Sequence, residues 1–148
     1  MTEYLLSTVG KWVREFDIDG LRLDVAYALD QAFVRRLRRA TRALKPEFWL
    51  MGEVIHGDYR QFVGPELLHC VTNYESYKGL YSSHNDRNYF EIAHSLDRQF
   101  GPGGMYRDIP LYNFADNHDV DRVASKLRDS RHLIPLYLLL FTMPGIPS

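Results

Sequence analysis

The regular alternation of short apolar runs with helical segments constrains the fold of this chain more than any other feature. The apolar runs that have the length of strands are residues 21–26, 48–54, 71–74 and 111–115. Segments with helical character lie before, between and after them, at about residues 4–16, 30–45, 59–68, 89–100 and 131–141. Such alternation predicts a parallel sheet whose strands are joined by right-handed helical crossovers.

The length of the chain limits how much of such a fold it can build. One strand and helix take roughly 30 residues, and a complete eight-stranded barrel takes about 250. The chain has 148 residues, and residues 143–148 have the character of the start of another strand. We therefore predict an α/β fold that is part of a TIM (β/α)8 barrel, with about four βα units and truncation at both ends.

Charge and composition limit the partners of the chain. Its formal net charge is -1, so it has no general attraction for nucleic acid or anionic membranes. The arginine-rich segment at residues 30–45 is interpreted as the solvated outer face of a barrel helix. The longest apolar run, residues 133–143, is shorter than the about 20 residues that cross a bilayer, and we interpret it as a buried helix. We predict neither a nucleic-acid nor a membrane partner.

The N-terminal segment and the cysteine content bear on the compartment. Residues 1–12 lack the features of a secretory signal peptide, and we predict a cytoplasmic protein. Cys70 is the single cysteine, so an internal disulfide and a multi-cysteine zinc site are excluded. Because Cys70 lies in an apolar run, we interpret it as a packed strand residue and not as a reactive thiol.

Three acidic residues stand at or just past the ends of predicted strands. Asp24 lies in DGLRLDVA, Glu53 in WLMGEV and Asp119 in NFADNHD. In a parallel barrel the carboxyl ends of the strands meet at one face, which is where these folds place their chemistry. We therefore expect the three acids to meet in one pocket. The alternative is that such acids cap the following helices, although Asp30 is the better placed cap for the second helix.

A set of three carboxyl groups suits the hydrolysis of a glycosidic bond. Two carboxyl groups about 5 to 5.5 Å apart give a retaining enzyme, in which one attacks the anomeric carbon and the other protonates the leaving oxygen. Crowding moves the pKa values of neighbouring carboxyl groups apart, so one group stays protonated while the other is ionised. Arg22 is on the same strand face as Asp24, and we expect it to hold Asp24 ionised through a charge-assisted hydrogen bond.

The three segments resemble the signature regions of the α-amylase family, glycoside hydrolase family 13. GLRLDVA is similar to the fourth-strand region with its Arg-x-Asp nucleophile, GEV to the fifth-strand region and FADNHD to the seventh-strand region, and their order and spacing agree. The resemblance implies that Asp24 is the nucleophile, Glu53 the general acid/base and Asp119 the transition-state stabiliser. It also implies that Arg22 orients Asp24 and that His118 hydrogen-bonds a hydroxyl of the reacting glucose.

The resemblance runs through nearly the whole chain, from the helix before the fourth strand to PGIPS, which is similar to the opening of the eighth strand. It implies that residues 1–148 are the C-terminal part of a glycoside hydrolase catalytic barrel. The implied reaction is retaining hydrolysis of α-1,4 or α-1,6 bonds in starch-derived glucans or maltodextrins, through a covalent glycosyl-enzyme. The choice among α-amylase, cyclomaltodextrinase, oligo-1,6-glucosidase and transglycosylase stays open, because loops determine linkage and acceptor.

Two segments depart from the family pattern or refine it. Many α-amylases have Lys-His after the nucleophile, near a sugar subsite and a calcium site, where this chain has Tyr27 and Ala28. We therefore predict no required cofactor and only weak grounds for calcium, while Tyr27 is either a sugar-stacking residue or part of a helix cap. His56 follows Glu53 as in members that act on maltodextrins or cyclodextrins, which makes it a candidate subsite residue.

Two other functional classes compete with this interpretation. One is a catalytically silent barrel relative that acts as a binding protein, and the other is a hydrolase that holds a divalent metal with Asp116, His118, Asp119 and Glu53. The family's first three strands and inserted domain have no counterpart here. We therefore expect the isolated chain to have little activity, and to form a homodimer through its two open sheet edges.

Overall fold

The structure, a computed structural model, describes all 148 residues. The five strands are arranged in chain order, β1-β2-β3-β4-β5, and the registered pairs are parallel. This confirms the predicted α/β class, including the further strand at the C-terminal end. The helices and strands are α1 (Thr2–Phe16), β1 (Gly20–Leu23), α2 (Gln31–Leu44), β2 (Trp49–Gly52), β3 (Cys70–Thr72), α3 (Tyr74–Asp86), α4 (Phe90–Phe100), β4 (Leu111–Asn113), α5 (Val123–Lys126), α6 (Leu133–Thr142) and β5 (Ile146–Pro147).

The chain divides into two compact units. The first comprises residues 1–54 and 58–71, and the second comprises residues 55–57 and 72–148. In the first unit β1 pairs with β2, with Leu21 opposite Leu50, and β2 pairs with β3. α1 packs against α2. The fully buried positions of this unit are mostly apolar and include Leu37, Phe48, Leu50, Leu68 and Cys70.

The ends of α2 follow the sequence signals that predicted them. The Asp30 side chain accepts a hydrogen bond of 2.7 Å from the N–H of Ala32, which satisfies one of the free donors of the first helical turn. This confirms Asp30 as the cap. The helix ends at Leu44, two residues before Pro46, because proline disfavours the helical conformation in the residue before it.

The predicted helix at residues 59–68 is wrong. The structure contains only a short 3-10 turn, Tyr59–Gln61, followed by an isolated parallel bridge between Val63 and Leu68. Gly64 and Pro65 explain the difference, because glycine lacks helix propensity and proline has no N–H to continue the helical hydrogen bonds.

Cys70 lies in β3 and is fully buried. Burial raises the pKa of its thiol to about 11, despite an opposing hydrogen bond to Trp49. The thiolate is therefore scarce at neutral pH, and the prediction of a packed strand residue is confirmed.

The second unit contains a helix, α3, that was not predicted from the sequence. α3 begins at Tyr74, so the predicted strand at residues 71–74 is too long by its last residues. The buried positions of α3 include Ser76, Gly79, Ser83 and His84, which are small or polar. These residues stand among the buried Tyr77 and Leu80 and weaken the apolar pattern of the helix. Asn73 caps the helix by accepting from the N–H of Ser76 at 3.1 Å.

The apolar helix at the C-terminal end is only partly buried. α6 buries Leu136 and Leu140, whereas Ile134 is 81% exposed and Leu138 is 64% exposed. The prediction of a buried helix is therefore wrong for one of its faces. None of the helices has both the length and the apolar character needed to span a membrane.

Candidate active site

Asp24 and Glu53 directly follow the neighbouring strands β1 and β2. The N–H of Glu53 donates to the carbonyl of Leu23 at 2.8 Å, and the N–H of Ala26 donates to the carbonyl of Glu53 at 2.9 Å. These bonds continue the strand pairing beyond the last residues of both strands. The backbone of Glu53 is thus fixed on both sides against the segment that carries Asp24.

The carboxylate of Glu53 is buried and bound from two directions. Its side chain is 5% exposed. Arg22 Nη2 donates to Oε1 at 3.0 Å, and the backbone N–H of Val25 donates to Oε2 at 3.1 Å. Since a buried carboxylate without partners is costly, these donors account for how Glu53 is held in the interior.

Asp24 lies on the solvent side of the same cluster. Its side chain is 73% exposed, and Oδ1 is 3.6 Å from Arg22 Nη2. At that distance the two groups form an ion pair but not a hydrogen bond. The shorter contact of Arg22 is with Glu53. The predicted pairing of Arg22 with Asp24 is therefore present in looser form. Asp24 Oδ1 and Glu53 Oε1 both contact Arg22 Nη2, at 3.6 Å and 3.0 Å. The two carboxylates therefore lie close to each other.

Val25 has a backbone conformation that is unusual for its residue type. Its φ is 47° and its ψ is 41°, in the left-handed region, which a β-branched side chain rarely adopts. This conformation directs the N–H of Val25 to the carboxylate of Glu53. Strain of this kind concentrates at functional sites, where the surrounding structure holds it in place.

Tyr27 and His56 were predicted as sugar-contacting residues. Tyr27 lies in a 3-10 turn, Ala26–Ala28, and is 37% exposed. At this exposure Tyr27 is not buried in the helix cap. His56, which belongs to the second unit, is exposed. Both side chains are accessible to a ligand, and their roles as subsite residues stay predictions.

In the second unit, His118 and Asp119 occupy an exposed turn after β4. His118 Nε2 lies 3.3 Å from Asp119 Oδ2, and the two side chains are 64% and 48% exposed. The N–H of Asp119 donates to Asn117 Oδ1 at 2.9 Å. The structure thus places His118 and Asp119 side by side, as their adjacency in the sequence requires.

Asp116 has a structural role within that segment. Its Oδ1 accepts from Arg122 at 2.7 Å, and its Oδ2 accepts from the N–H of Val123, the first residue of α5, at 2.8 Å. Both oxygens are thereby engaged by the chain. No group of three or more His, Cys, Asp or Glu side chains is arranged to hold a metal ion, so nothing in the geometry favours the metal-dependent alternative.

The structure therefore assembles the predicted site residues in two groups. Arg22, Asp24 and Glu53 form one cluster in the first unit, and His118 and Asp119 form a pair in the second. The convergence of all three acids in one pocket stays a prediction.

Two features of these groups had not been predicted from the sequence. The N–H of Val25 as a donor to Glu53 had no local signal. Asn117 stands inside the NFADNHD motif, next to the predicted site residues His118 and Asp119.

No protein-family model matches the chain. Its sequence is similar to the intracellular maltogenic amylase of Bacillus subtilis strain 168, with 30% identity over 148 residues that cover 98% of this chain and 25% of the relative. It is also 32% identical over 149 residues to the maltogenic α-amylase of Bacillus acidopullulyticus, again covering 98% of this chain and 25% of the relative. The chain thus spans about a quarter of the length of the curated relatives it matches.

Solved structures show the same relationship. A cyclomaltodextrinase is 29% identical with a TM-score of 0.86, and the match covers 99% of this chain and 25% of that one. An α-amylase from Anoxybacillus is 27% identical with a TM-score of 0.84, and the match covers 99% of this chain and 34% of that one. These relatives, together with the parallel strands and the acidic motifs, show that the chain belongs to the α-amylase family, glycoside hydrolase family 13. It matches part of the family's TIM-barrel domain.

Proposed function

We propose that this chain carries the reacting groups of a retaining α-glycosidase that acts on α-glucans. The observation that carries the proposal is the cluster of Asp24, Arg22 and Glu53, in which one guanidinium holds two carboxylates. One carboxylate is exposed to a ligand and the other is buried. Two acids in such different surroundings suit two different roles.

Asp24 is the proposed nucleophile. Its exposed carboxylate is accessible to the anomeric carbon of a bound sugar, and attack there forms a covalent glycosyl-enzyme. The guanidinium of Arg22 lies 3.6 Å from Asp24 Oδ1 and places a positive charge beside the attacking group.

Glu53 is the proposed general acid/base. In the first step it gives a proton to the leaving glycosidic oxygen, and in the second step it takes a proton from the water that releases the sugar. Its fixed backbone and its contacts with Arg22 and Val25 hold the carboxyl group in one place. Fixed placement is what proton transfer in the transition state requires.

Asp119 and His118 are proposed to bind hydroxyl groups of the reacting sugar. Both are exposed at the turn after β4, and an anionic group at this place favours the positively charged transition state. Nucleophile and proton donor both come from the chain itself, so we propose that bond cleavage needs no cofactor. Comparing rates with and without a calcium chelator tests this separately.

The substrate class is proposed from the relatives. Their names describe maltogenic amylases and cyclomaltodextrinases, so we propose maltodextrins or cyclomaltodextrins with α-1,4 or α-1,6 bonds. The name of the Bacillus subtilis relative includes the word intracellular, and a cytoplasmic location is proposed on the same footing.

The test needs a protein that presents this chain together with the rest of a barrel. A chimera in which residues 1–148 replace the matched quarter of the Bacillus subtilis maltogenic amylase supplies one, whatever the natural length of the chain. We expect Asp24→Asn and Glu53→Gln each to lower kcat on maltoheptaose by about a thousandfold or more, because each removes a reacting group and little volume.

The matched control is Asp30→Asn, which changes the same functional group at a helix cap outside the cluster. Asparagine caps nearly as well as aspartate, so this variant is expected to keep its activity. A glucosyl fluoride substrate is expected to rescue Glu53→Gln in part, since fluoride leaves without a proton. Retention of more than about a tenth of the rate by either cluster variant contradicts the proposal.

The alternative of a catalytically silent binding protein predicts a different outcome. In that case the folded chimera binds maltoheptaose without cleaving it, and the Asp24 and Glu53 variants bind as well as the parent. The unmodified 148-residue chain serves as a further comparison and is expected to show little activity, because catalytic groups need a complete supporting shell.

A further inference from the structure

Asn117 connects the turn that carries His118 and Asp119 to helix α3. Its Nδ2 donates to the hydroxyl of Tyr74 at 2.9 Å, and its Oδ1 accepts from the N–H of Asp119 at 2.9 Å. The amide thus uses its donor end on the helix and its acceptor end on the turn. Any displacement of the Tyr74 hydroxyl reaches the backbone of Asp119 through a single side chain.

Tyr74 is well placed to act as a fixed point. It is the first residue of α3, directly after the capping residue Asn73. Its ring lies edge-on against the buried ring of Phe114, with 4.8 Å between the centroids and an interplanar angle of 73°. Two conformational degrees of freedom of the side chain are thereby restricted, so the hydroxyl has a defined position.

A buried network of amides holds the start of α3. Asn73 Nδ2 donates to Gln99 Oε1 and to Asn113 Oδ1, both at 2.8 Å. Gln99 Nε2 in turn donates to Ser95 Oγ at 3.1 Å. All of these side chains are buried, and buried polar networks with satisfied partners are rigid. The network therefore fixes the helix that carries Tyr74 against α4 and the end of β4.

The turn itself is exposed, in contrast to its anchor. The side chains of His118 and Asp119 are 64% and 48% exposed, and exposed turns with few buried contacts open easily. We propose that Tyr74 and Asn117 are positioning residues, which hold this turn so that Asp119 presents its carboxylate in one orientation. The consequence for catalysis rests on the role proposed above for Asp119, whereas the positioning of the turn does not.

The direct test measures amide hydrogen exchange at Asp119 by NMR in the 148-residue chain. Tyr74→Phe removes one hydroxyl and keeps the ring, so we expect exchange at the Asp119 amide to become roughly fivefold to tenfold faster. The matched control is Tyr112→Phe, in which the lost hydroxyl donates to Ser148. We expect that control to leave the Asp119 amide within about twofold of the parent.

A second variant separates coupling from general loosening. Asn117→Ala removes the bridging amide, and the double variant Tyr74→Phe/Asn117→Ala is expected to exchange no faster than Asn117→Ala alone, because both changes break the same connection. An unchanged Asp119 amide in Tyr74→Phe overturns the inference. Equal acceleration of the β4 amides also overturns it, since the effect is then loss of overall stability.

Activity in the chimeric barrel distinguishes this inference from the proposed function. If both hold, Tyr74→Phe lowers kcat roughly fivefold to tenfold with little change in KM, because the orientation of a transition-state contact is lost. If Asp119 exchange accelerates while kcat is unchanged, the positioning of the turn stands and the assigned role of Asp119 fails.

Discussion

Gly52 is the residue whose replacement tests the packing around Glu53 most directly. It is the last residue of β2, and it is paired with Leu23 of β1 and Val71 of β3. A Cβ added at Gly52 would overlap Leu68 Cδ1 and lie 2.8 Å from Ala26 Cβ. Both neighbours are buried, so neither has free space to move into.

The expected cost follows from which neighbour can yield. Leu68 can change rotamer only at the expense of its own packing, while the Cβ of Ala26 moves only with its backbone. Inserting a methyl group into a well-packed core costs about 1–3 kcal/mol. The entropy that alanine removes from the unfolded chain offsets about 0.4–1 kcal/mol of that cost at most. We therefore expect Gly52→Ala to lower the free energy of unfolding by about 1–2 kcal/mol.

The matched control is Gly64→Ala in the same unit. A Cβ at Gly64 would have no heavy atom within 4 Å, so we expect this variant to be neutral or slightly more stable. Urea denaturation followed by circular dichroism gives both free energies under identical conditions. A difference of less than about 0.5 kcal/mol between the two variants contradicts close packing of Gly52 against Ala26.

Burial and the positive charge of Arg38 lower the pKa of His69 below 6.5. The contribution of neutral His69 to the free energy of unfolding is therefore fully present above that pH. Below pH 6.5 His69 is protonated more readily in the unfolded chain than in the folded chain, which lowers the free energy of unfolding. We therefore expect the urea midpoint to fall between pH 7.5 and 5.0 more steeply in the unmodified chain than in His69→Gln. An equal pH dependence of the two midpoints contradicts this linkage. The isolated chain is expected to self-associate, because β1 is an edge strand beside an apolar groove of about 190 Å³ that includes Leu21 and Trp12. Light scattering during size-exclusion chromatography checks this: a stable monomer at micromolar concentration contradicts it, and Trp12→Glu is expected to weaken the association.

Short-range patterns in the sequence were sufficient for most of the architecture. Apolar runs of strand length predicted β1, β2 and β4 to within a few residues, because buried parallel strands are apolar on both faces. The apolar pattern did not predict the segments in which small, polar or helix-breaking residues decide the structure. α3 buries serine, glycine and histidine, and the segment at residues 59–68 contains the breakers Gly64 and Pro65.

The sequence by itself determined which chemical groups stand at the ends of the strands. Asp24, Glu53 and Asp119 were identified because all three stand at or just past the ends of predicted strands and their order and spacing match a family signature. Any one of them alone could have been a helix cap. The identity of these residues and their order along the chain are read directly from the sequence.

Only the tertiary structure decided which groups meet. Arg22 lies two residues from Asp24 in sequence, yet its shorter contact is with Glu53, which is 31 residues away. The register between β1 and β2 brings that pair together, and register is a property of two strands at once. The same holds for Tyr74 and Asn117, whose hydrogen bond spans 43 residues. Local periodicity cannot encode such contacts, because they exist only after the intervening chain has folded.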